Sequence, residues 1–254
     1  SNLCAEIMEY SSPDETAVCT LASICLPKFC DNDGFNLENL AKTTQMVTIN
    51  LNKVIDKTSY PVDQASTSNI RNRPIGIGVQ GLSDVFQLLG IEYESEEAKQ
   101  LNKEIFETIY YSSLYTSMEL SKINGPYETF QNSPASNGIL QFDMWGIQAS
   151  KYDWNSLKKL IKMHGLRNSL LVACMPTAST AQINGNTESF EPRTSNIYVR
   201  RILSGEFIII NKYLEAACRK LGKWDEKLIS NIIKNRGSVK NTSLSENMKN
   251  IYKT

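Results

Sequence analysis

The continuous apolar run Ser169–Met175, closed by Pro176, constrains the fold of this chain more than any other stretch. A run of that length is too short for an ordinary helix. It predicts a strand buried on both faces, as in a parallel sheet, and Pro176 ends it. Parallel strands need long crossover connections, and the flanking sequence supplies helices. Leu37, Leu40, Ala41, Thr44, Val47, Thr48, Leu51, Val54 and Ile55 recur at helical spacing. They predict an amphipathic helix over about 36–56 with Asn36 as its cap. Gly76, Gly78 and Gly81 mark close backbone packing where a strand feeds a helix, Leu82–Leu89, which Gly90 stops. Ser95-Glu96-Glu97 opens a long helix that Asn124-Gly125-Pro126 must end. A short helix is expected over Asn155–Met163, with His164 a structural residue at its C-terminal end.

Outside these elements, residues 1–27 read as extended segments around a turn at Ser11-Ser12-Pro13-Asp14. Residues 126–150 read as loop-rich and 176–196 as polar. Two further helical patterns cover about 208–221 and 225–234, and the polar tail from Arg236 is expected to be mobile. Helices alternating with buried strands give an α/β fold. No repeat or linker divides the chain, which reads as one domain or part of one.

Composition removes several function classes. The 254 residues carry 27 basic and 27 acidic side chains, so no electrostatic footprint for DNA or an anionic membrane exists. No apolar stretch approaches the roughly 20 residues that span a bilayer. The polar N-terminus has no basic-then-apolar signal pattern, and six cysteines without regular spacing do not form a secreted disulfide framework. A cytoplasmic location is therefore expected. The single histidine leaves little scope for a multi-histidine metal site or a Ser-His-Asp triad. No Glu-x-x-His helix pair is present, so no metal is expected on this chain.

The chemistry-bearing residues begin at the first six positions, Ser1-Asn2-Leu3-Cys4-Ala5-Glu6. In an extended segment Asn2, Cys4 and Glu6 share one face: an amide, a thiol and a carboxylate. Taken alone, the segment is better read as a half-buried edge strand with Cys4 as a small hydrophobe. Four later motifs change that weighting: Ala17-Val18-Cys19-Thr20-Leu21-Ala22-Ser23-Ile24, Asn72-Arg73-Pro74-Ile75-Gly76-Ile77-Gly78-Val79-Gln80-Gly81, Met175-Pro176-Thr177-Ala178-Ser179-Thr180-Ala181, and Thr194-Ser195-Asn196-Ile197-Tyr198-Val199-Arg200-Arg201-Ile202-Leu203-Ser204-Gly205-Glu206-Phe207. In this order, from Ser1 to about Phe207, the chain resembles the catalytic large subunit of class I ribonucleotide reductase, of the eukaryotic and large-virus type.

The resemblance implies part of that family's ten-stranded α/β barrel, with the active cysteine on a loop at the barrel centre. It implies a 1–254 partial catalytic barrel, without the N-terminal half, the activity cone and the extreme C-terminus. It implies reduction of ribonucleoside diphosphates to 2′-deoxyribonucleoside diphosphates. Cys4 matches the cysteine that becomes a thiyl radical, Glu6 the carboxylate that takes the 3′-hydroxyl proton, and Asn2 the amide that holds the ribose hydroxyls. Cys19 matches one member of the redox-active pair, whose partner lies upstream of this chain; Thr20 stands where the family often has Asn. Pro176, Thr177, Ala178, Ser179 and Thr180 match the segment that holds the substrate diphosphate, although capping of a helix is the plainer use of such residues.

The implied chain binds no cofactor itself. Its radical would come from a di-iron small subunit, and ATP and dNTP effectors would bind regions this chain lacks. Its other partners would be the remaining segments of the large subunit and a thioredoxin- or glutaredoxin-type reductant, with no DNA and no membrane. Half a barrel leaves strand edges open, so the chain alone is expected to be inactive. Two alternatives are a non-catalytic paralogue that binds reductase subunits and an unrelated thiol-redox protein using Cys4 and Cys19. Cys25, Cys30, Cys174 and Cys218 read as structural or incidental; Cys25 with Cys30 is weak evidence for a metal site. Tyr110-Tyr111 reads as helix packing, and Arg200 and Arg201 as ion-pairing residues that fix the barrel wall.

Overall fold

The computed structural model describes residues 6–254. Its elements are β1 (Leu21–Cys25), β2 (Cys30–Asp31), β3 (Gly34–Phe35), α1 (Leu37–Lys57), α2 (Asp63–Asn72), β4 (Gly76–Gln80), α3 (Leu82–Leu89), α4 (Glu96–Asn124), α5 (Gln141–Met144), α6 (Trp154–His164), α7 (Thr180–Asn184), β5 (Ile197–Ile202), β6 (Gly205–Ile210), α8 (Lys212–Lys220), α9 (Glu226–Lys234) and α10 (Glu246–Ile251). They form two compact units. The first comprises residues up to Ile24, Phe35–Val79 and Asn102–Thr177; the second comprises Cys25–Gly34, Gln80–Leu101 and Ala178–Thr254.

In the first unit β4 pairs with β1, and on its other side meets the apolar run 169–175 through a parallel bridge, Ile77 to Val172. Ile75 and Ile77 donate their N–H groups to the carbonyls of Leu170 and Leu171, and Ala173 returns one to Ile77 at 3.1 Å. Gly78 permits the contact: a Cβ there would lie 2.7 Å from the Ala173 carbonyl oxygen. Close packing at the glycines, expected from the sequence, is thus present. The run 169–175 differs from expectation. Leu171, Ala173 and Met175 are buried, but Val172 and Cys174 are half-buried, because the run borders a cavity.

Helix α1 begins where expected, with the Asn36 side chain accepting the Asn39 N–H at 2.9 Å. It buries Leu40, Thr44, Thr48, Leu51, Asn52 and Ile55, while Val54 faces out. Thr44 and Thr48 satisfy their buried hydroxyls on the carbonyls four residues back. Asn168, fully buried, ties three elements together. Its amide donates to Asn52 Oδ1 (3.1 Å) and the Arg73 carbonyl (2.9 Å), and accepts from Ser117 (2.9 Å) and Asn52 (3.0 Å). Arg73 ends α2 in the left-handed conformation, φ 46°. Its side chain, 3% exposed, donates to Asp56 at 2.7 Å.

In the second unit β5 and β6 form an antiparallel hairpin, Ile197 opposite Ile210 and Ile202 opposite Gly205. This corrects the helix expected over 208–221: α8 starts only at Lys212, capped by the Asn211 side chain. The strand pairing takes Phe207–Ile210, whose apolar run carries no periodicity that separates strand from helix. Arg201 does form an ion pair, with Glu206 across this exposed hairpin. The tail from Arg236 is likewise corrected. Val239, Leu244, Met248, Ile251 and Tyr252 pack with Leu214, Cys218, Leu228 and Ile232 as the core of this unit, and α10 is capped by Ser245. Five apolar side chains spread over fourteen residues at irregular spacing hide that core from a periodicity reading.

Because Asn168 satisfies polar groups on three elements, Asn168→Ala leaves buried partners without a bond. A loss of about 2–4 kcal/mol is expected, read as a lower urea midpoint at constant slope. An unchanged midpoint would show that the network carries no stability.

Candidate active site

Asn2 and Cys4 lie outside the described residues. Glu6 does not, and its surroundings are specific. A cavity of about 810 Å³ lies within the first unit, walled by Glu6, Ile7 and Met8, by Phe106, Tyr110 and Leu114 of α4, by Trp154 of α6, and by 170–174. The walls are mostly apolar. Glu6 Oε2 is buried at this wall and has no hydrogen-bond partner. Glu107, on the same cavity, is the opposite case. Its Oε1 accepts the Trp154 indole N–H at 2.9 Å and the Lys151 N–H at 2.7 Å. Glu107 therefore fastens the wall, whereas Glu6 keeps an acceptor free for a donor from outside the described structure.

Cys19 is exposed, and its neighbours are firmly held. Ser12 and Glu15 close the expected turn, and the Thr16 N–H donates to Gln64 at 3.1 Å. Glu15, 4% exposed, accepts from Arg71 and from Asn72 at 3.0 Å. Arg71 also bonds Glu128 at 3.0 Å; the hydrogen bond and charge of Glu15, with a smaller contribution from Glu128, raise the guanidinium pKa. On the other side of Cys19, the Thr20 hydroxyl accepts from Asn69 at 3.3 Å and its carbonyl accepts the Gly76 N–H at 3.0 Å. The Asn-to-Thr departure noted in the sequence thus puts a hydroxyl where α2 can use it.

Pro176 follows the buried Met175 and is exposed; Thr177 is buried; Ala178, Ser179 and Thr180 are exposed. Helix α7 starts at Thr180, yet the Ser179 side chain makes no capping bond. The hydroxyl is therefore not consumed by the plainer capping role.

The remaining cysteines behave as apolar residues. Burial pushes the Cys174 thiol to a pKa of about 11 and, with Asp31 nearby, the Cys30 thiol to about 11. Burial also raises Cys218. Cys25 accepts the Asn186 amide N–H at 3.0 Å. Among the described residues no group of three or more His, Cys, Asp or Glu side chains is placed to hold a metal ion. Tyr110 and Tyr111 pack as expected: Tyr111 stacks on Tyr152 with ring centroids 4.4 Å apart, and both tyrosines contact Trp154. His164 ends α6, where its carbonyl accepts the Ser121 hydroxyl at 2.7 Å. No helix among the described residues is long and apolar enough to cross a membrane.

The model of the ribonucleotide reductase barrel domain matches residues 1–254, the whole chain. The chain belongs to the ribonucleotide reductase barrel-domain family. It is 57% identical over its full length to a ribonucleoside-diphosphate reductase large subunit from Plasmodium falciparum, and covers 32% of that protein. It is 52% identical to the large subunit of Arabidopsis thaliana, covering 34% of it, and 52% identical to large chain 2 of Saccharomyces cerevisiae, covering 30%. Among solved structures it is similar to the alpha subunit of the class Id ribonucleotide reductase of Actinobacillus ureae. The TM-score is 0.75 at 29% identity, over 100% of this chain and 41% of that one. The α/β fold and the family resemblance read from the motifs are therefore borne out. The reductase-family chain spans about a third of the length of these curated relatives.

Sequence reasoning missed the carboxylates that hold this region together. Glu15 sits in a turn that looks merely polar. Asp84 carries a visible signal, a charge inside the apolar helix Leu82–Leu89, where a buried charge demands a partner.

Thiol reactivity should follow these environments. With pKa values of about 11, Cys30 and Cys174 hold roughly one part in a thousand as thiolate at pH 8. Iodoacetamide should label them slowly, about tenfold faster per pH unit up to pH 11, while the exposed Cys19 labels first. Peptide mass spectrometry reads the order; equal rates at pH 8 would contradict the burial.

Proposed function

We propose that this chain is the catalytic segment of a ribonucleoside-diphosphate reductase, acting with the remainder of a large subunit and a radical-generating small subunit. The observation that carries the reading is Glu6 Oε2, buried and without a hydrogen-bond partner at a cavity wall in a chain matched end to end by the reductase barrel family. A decayed site has no reason to keep an unpaired buried acceptor in a sequence that also retains Asn2, Cys4 and Cys19.

In this reading a radical supplied by the small subunit's di-iron site converts Cys4 to a thiyl, which takes the hydrogen atom from ribose C3′. Glu6 accepts the 3′-hydroxyl proton as the carbon radical gains ketyl character. The 2′-hydroxyl leaves as water, with Asn2 hydrogen-bonded to the ribose hydroxyls. Cys19 and a partner cysteine from the rest of the subunit supply two electrons and two protons and become a disulfide. Cys4 then returns its hydrogen atom to C3′. The net change is one ribonucleotide and one dithiol to one deoxyribonucleotide, one water and one disulfide. A thioredoxin- or glutaredoxin-type dithiol then reduces that disulfide, and a reducing cytoplasm suits the exposed Cys19. Pro176, Thr177, Ala178, Ser179 and Thr180 take the substrate diphosphate on hydroxyls and backbone N–H groups.

The apolar cavity and the single bridge made by 169–175 also fit a segment that the rest of the subunit completes. This chain alone should therefore not reduce ribonucleotides. Combined with the rest of the subunit, its small subunit and a dithiol, it should. Cys4→Ser should abolish turnover, and Glu6→Gln should lower kcat by about 10²–10⁴-fold, the usual contribution of a positioned base. Full turnover by Cys4→Ser would overturn the assignment. Absence of turnover by the fully assembled wild type would favour a non-catalytic paralogue.

A further inference from the structure

We infer that Asp84 and Lys212 are positioning residues for the phosphate-holding segment, setting the place of Ala178, Ser179 and Thr180 through the turn at the far end of α7. The inference rests on the reading that this segment takes the substrate diphosphate. All the groups involved lie in the second unit.

Helix α7 is five residues long and cannot hold itself in place. Its segment is polar, and only Ala181 of the helix is buried. What fixes it comes from elsewhere. Gly185 ends the helix in the left-handed conformation, φ 66°, and the Gly185 carbonyl accepts Lys212 Nζ at 2.7 Å. The same ammonium lies 5.1 Å from the Tyr213 ring centroid, so its direction is set from two sides. Asn184 Nδ2 donates to Gln80 Oε1 at 3.3 Å. Two residues beyond Gly185, the Thr187 N–H donates to Asp84 Oδ2, and the Thr187 carbonyl accepts the Gly81 N–H at 2.9 Å.

Asp84 is the centre of this arrangement. It is fully buried in the first turn of α3, where the free N–H groups of the helix favour a negative charge. Its second oxygen accepts Arg193 NH2 at 2.6 Å, from a side chain 12% exposed. One carboxylate thus holds both ends of the stretch from Thr187 to Arg193, and Lys212 holds the chain just before it, at Gly185. These ties fix the chain that follows α7, beside the one buried apolar side chain of the helix, Ala181. A carboxylate of this kind would be expected to do no chemistry: both its oxygens are engaged.

The test uses the intact large subunit carrying this segment, assembled with its small subunit. Lys212→Met should raise KM for a ribonucleoside diphosphate about tenfold, with kcat changed less than about twofold. Lys212→Arg, which keeps a donor, should restore most of the affinity. Asp84→Asn should raise KM at least as much. Adding Arg193→Met, which removes the cation left without its carboxylate, should recover folding but not KM. If Asp84→Asn fails to fold, the Lys212 pair decides. Folded variants with unchanged KM, or a lowered melting temperature with unchanged KM, would overturn the inference. The double substitution Ser179→Ala with Thr180→Ala separates the two claims. A raised KM there with unchanged KM in Lys212→Met and Asp84→Asn rejects only the positioning role. Unchanged KM in the double substitution rejects the phosphate reading, and the positioning role with it.

Discussion

The place of every candidate catalytic group described in the first unit depends on the close approach of other segments to β4. At Gly76 a Cβ would lie 2.5 Å from Leu21 Cδ2 and 3.7 Å from Ile7 Cδ1; at Gly78 it would lie 2.7 Å from Met175 Sδ and from the Ala173 carbonyl. Ile7 is the residue after Glu6. Met175 is the residue before Pro176. The Gly76 N–H bonds the carbonyl of Thr20, the residue after Cys19. Three segments far apart in sequence are thus registered on one strand, each one residue from a group with a proposed role. A side chain at either glycine would push one of these segments away, so the strand's missing side chains are a condition of the site's geometry.

The buried charges sort by whether their oxygens are used. Glu15, Glu107 and Asp84 each hold two donors, and each ties a loop to a helix. Removing a carboxylate from water costs several kcal/mol unless such bonds replace the lost hydration. Glu6 has no such replacement at Oε2. Protein structures tolerate an unsatisfied buried acceptor mainly where a ligand or partner completes it. The contrast between these four carboxylates is a physical ground, independent of the family, for the role proposed for Glu6.

Much of the fold was legible because helix caps and glycines act locally. Asn36, Ser95 and Gly90 each mark an end through a bond or a conformation that needs no tertiary context. The hairpin Ile197–Ile210 and the tail core were not legible, for different reasons. Ile208, Ile209 and Ile210 suit a strand and a buried helix face equally, and the cross-strand register that decides between them is a non-local fact. In the tail, Val239, Leu244 and Met248 are too widely spaced to show a period, and their burial depends on packing against α8 and α9. Helix α2, with mostly polar residues and no side-chain cap, gives almost no local signal either.

The site divides in the same way. Asn2, Cys4, Glu6, Cys19 and Pro176–Thr180 are proposed from the order of motifs, because residues that touch a substrate are chosen by chemistry and leave a pattern of types. Asp84, Arg193 and Lys212 leave no such pattern. Each acts by a bond to backbone or to another support residue across 27 to 109 positions of chain, and many residue pairs could hold the same turn. The segment they hold, 176–196, has no apolar periodicity and can bury little of itself. Its shape must therefore be imposed by polar ties from outside, and those ties become visible only when distances are known. A polar, glycine-containing segment that bears candidate ligand-binding groups is thus itself a signal: it says that buried partners exist, even where the sequence does not say which they are.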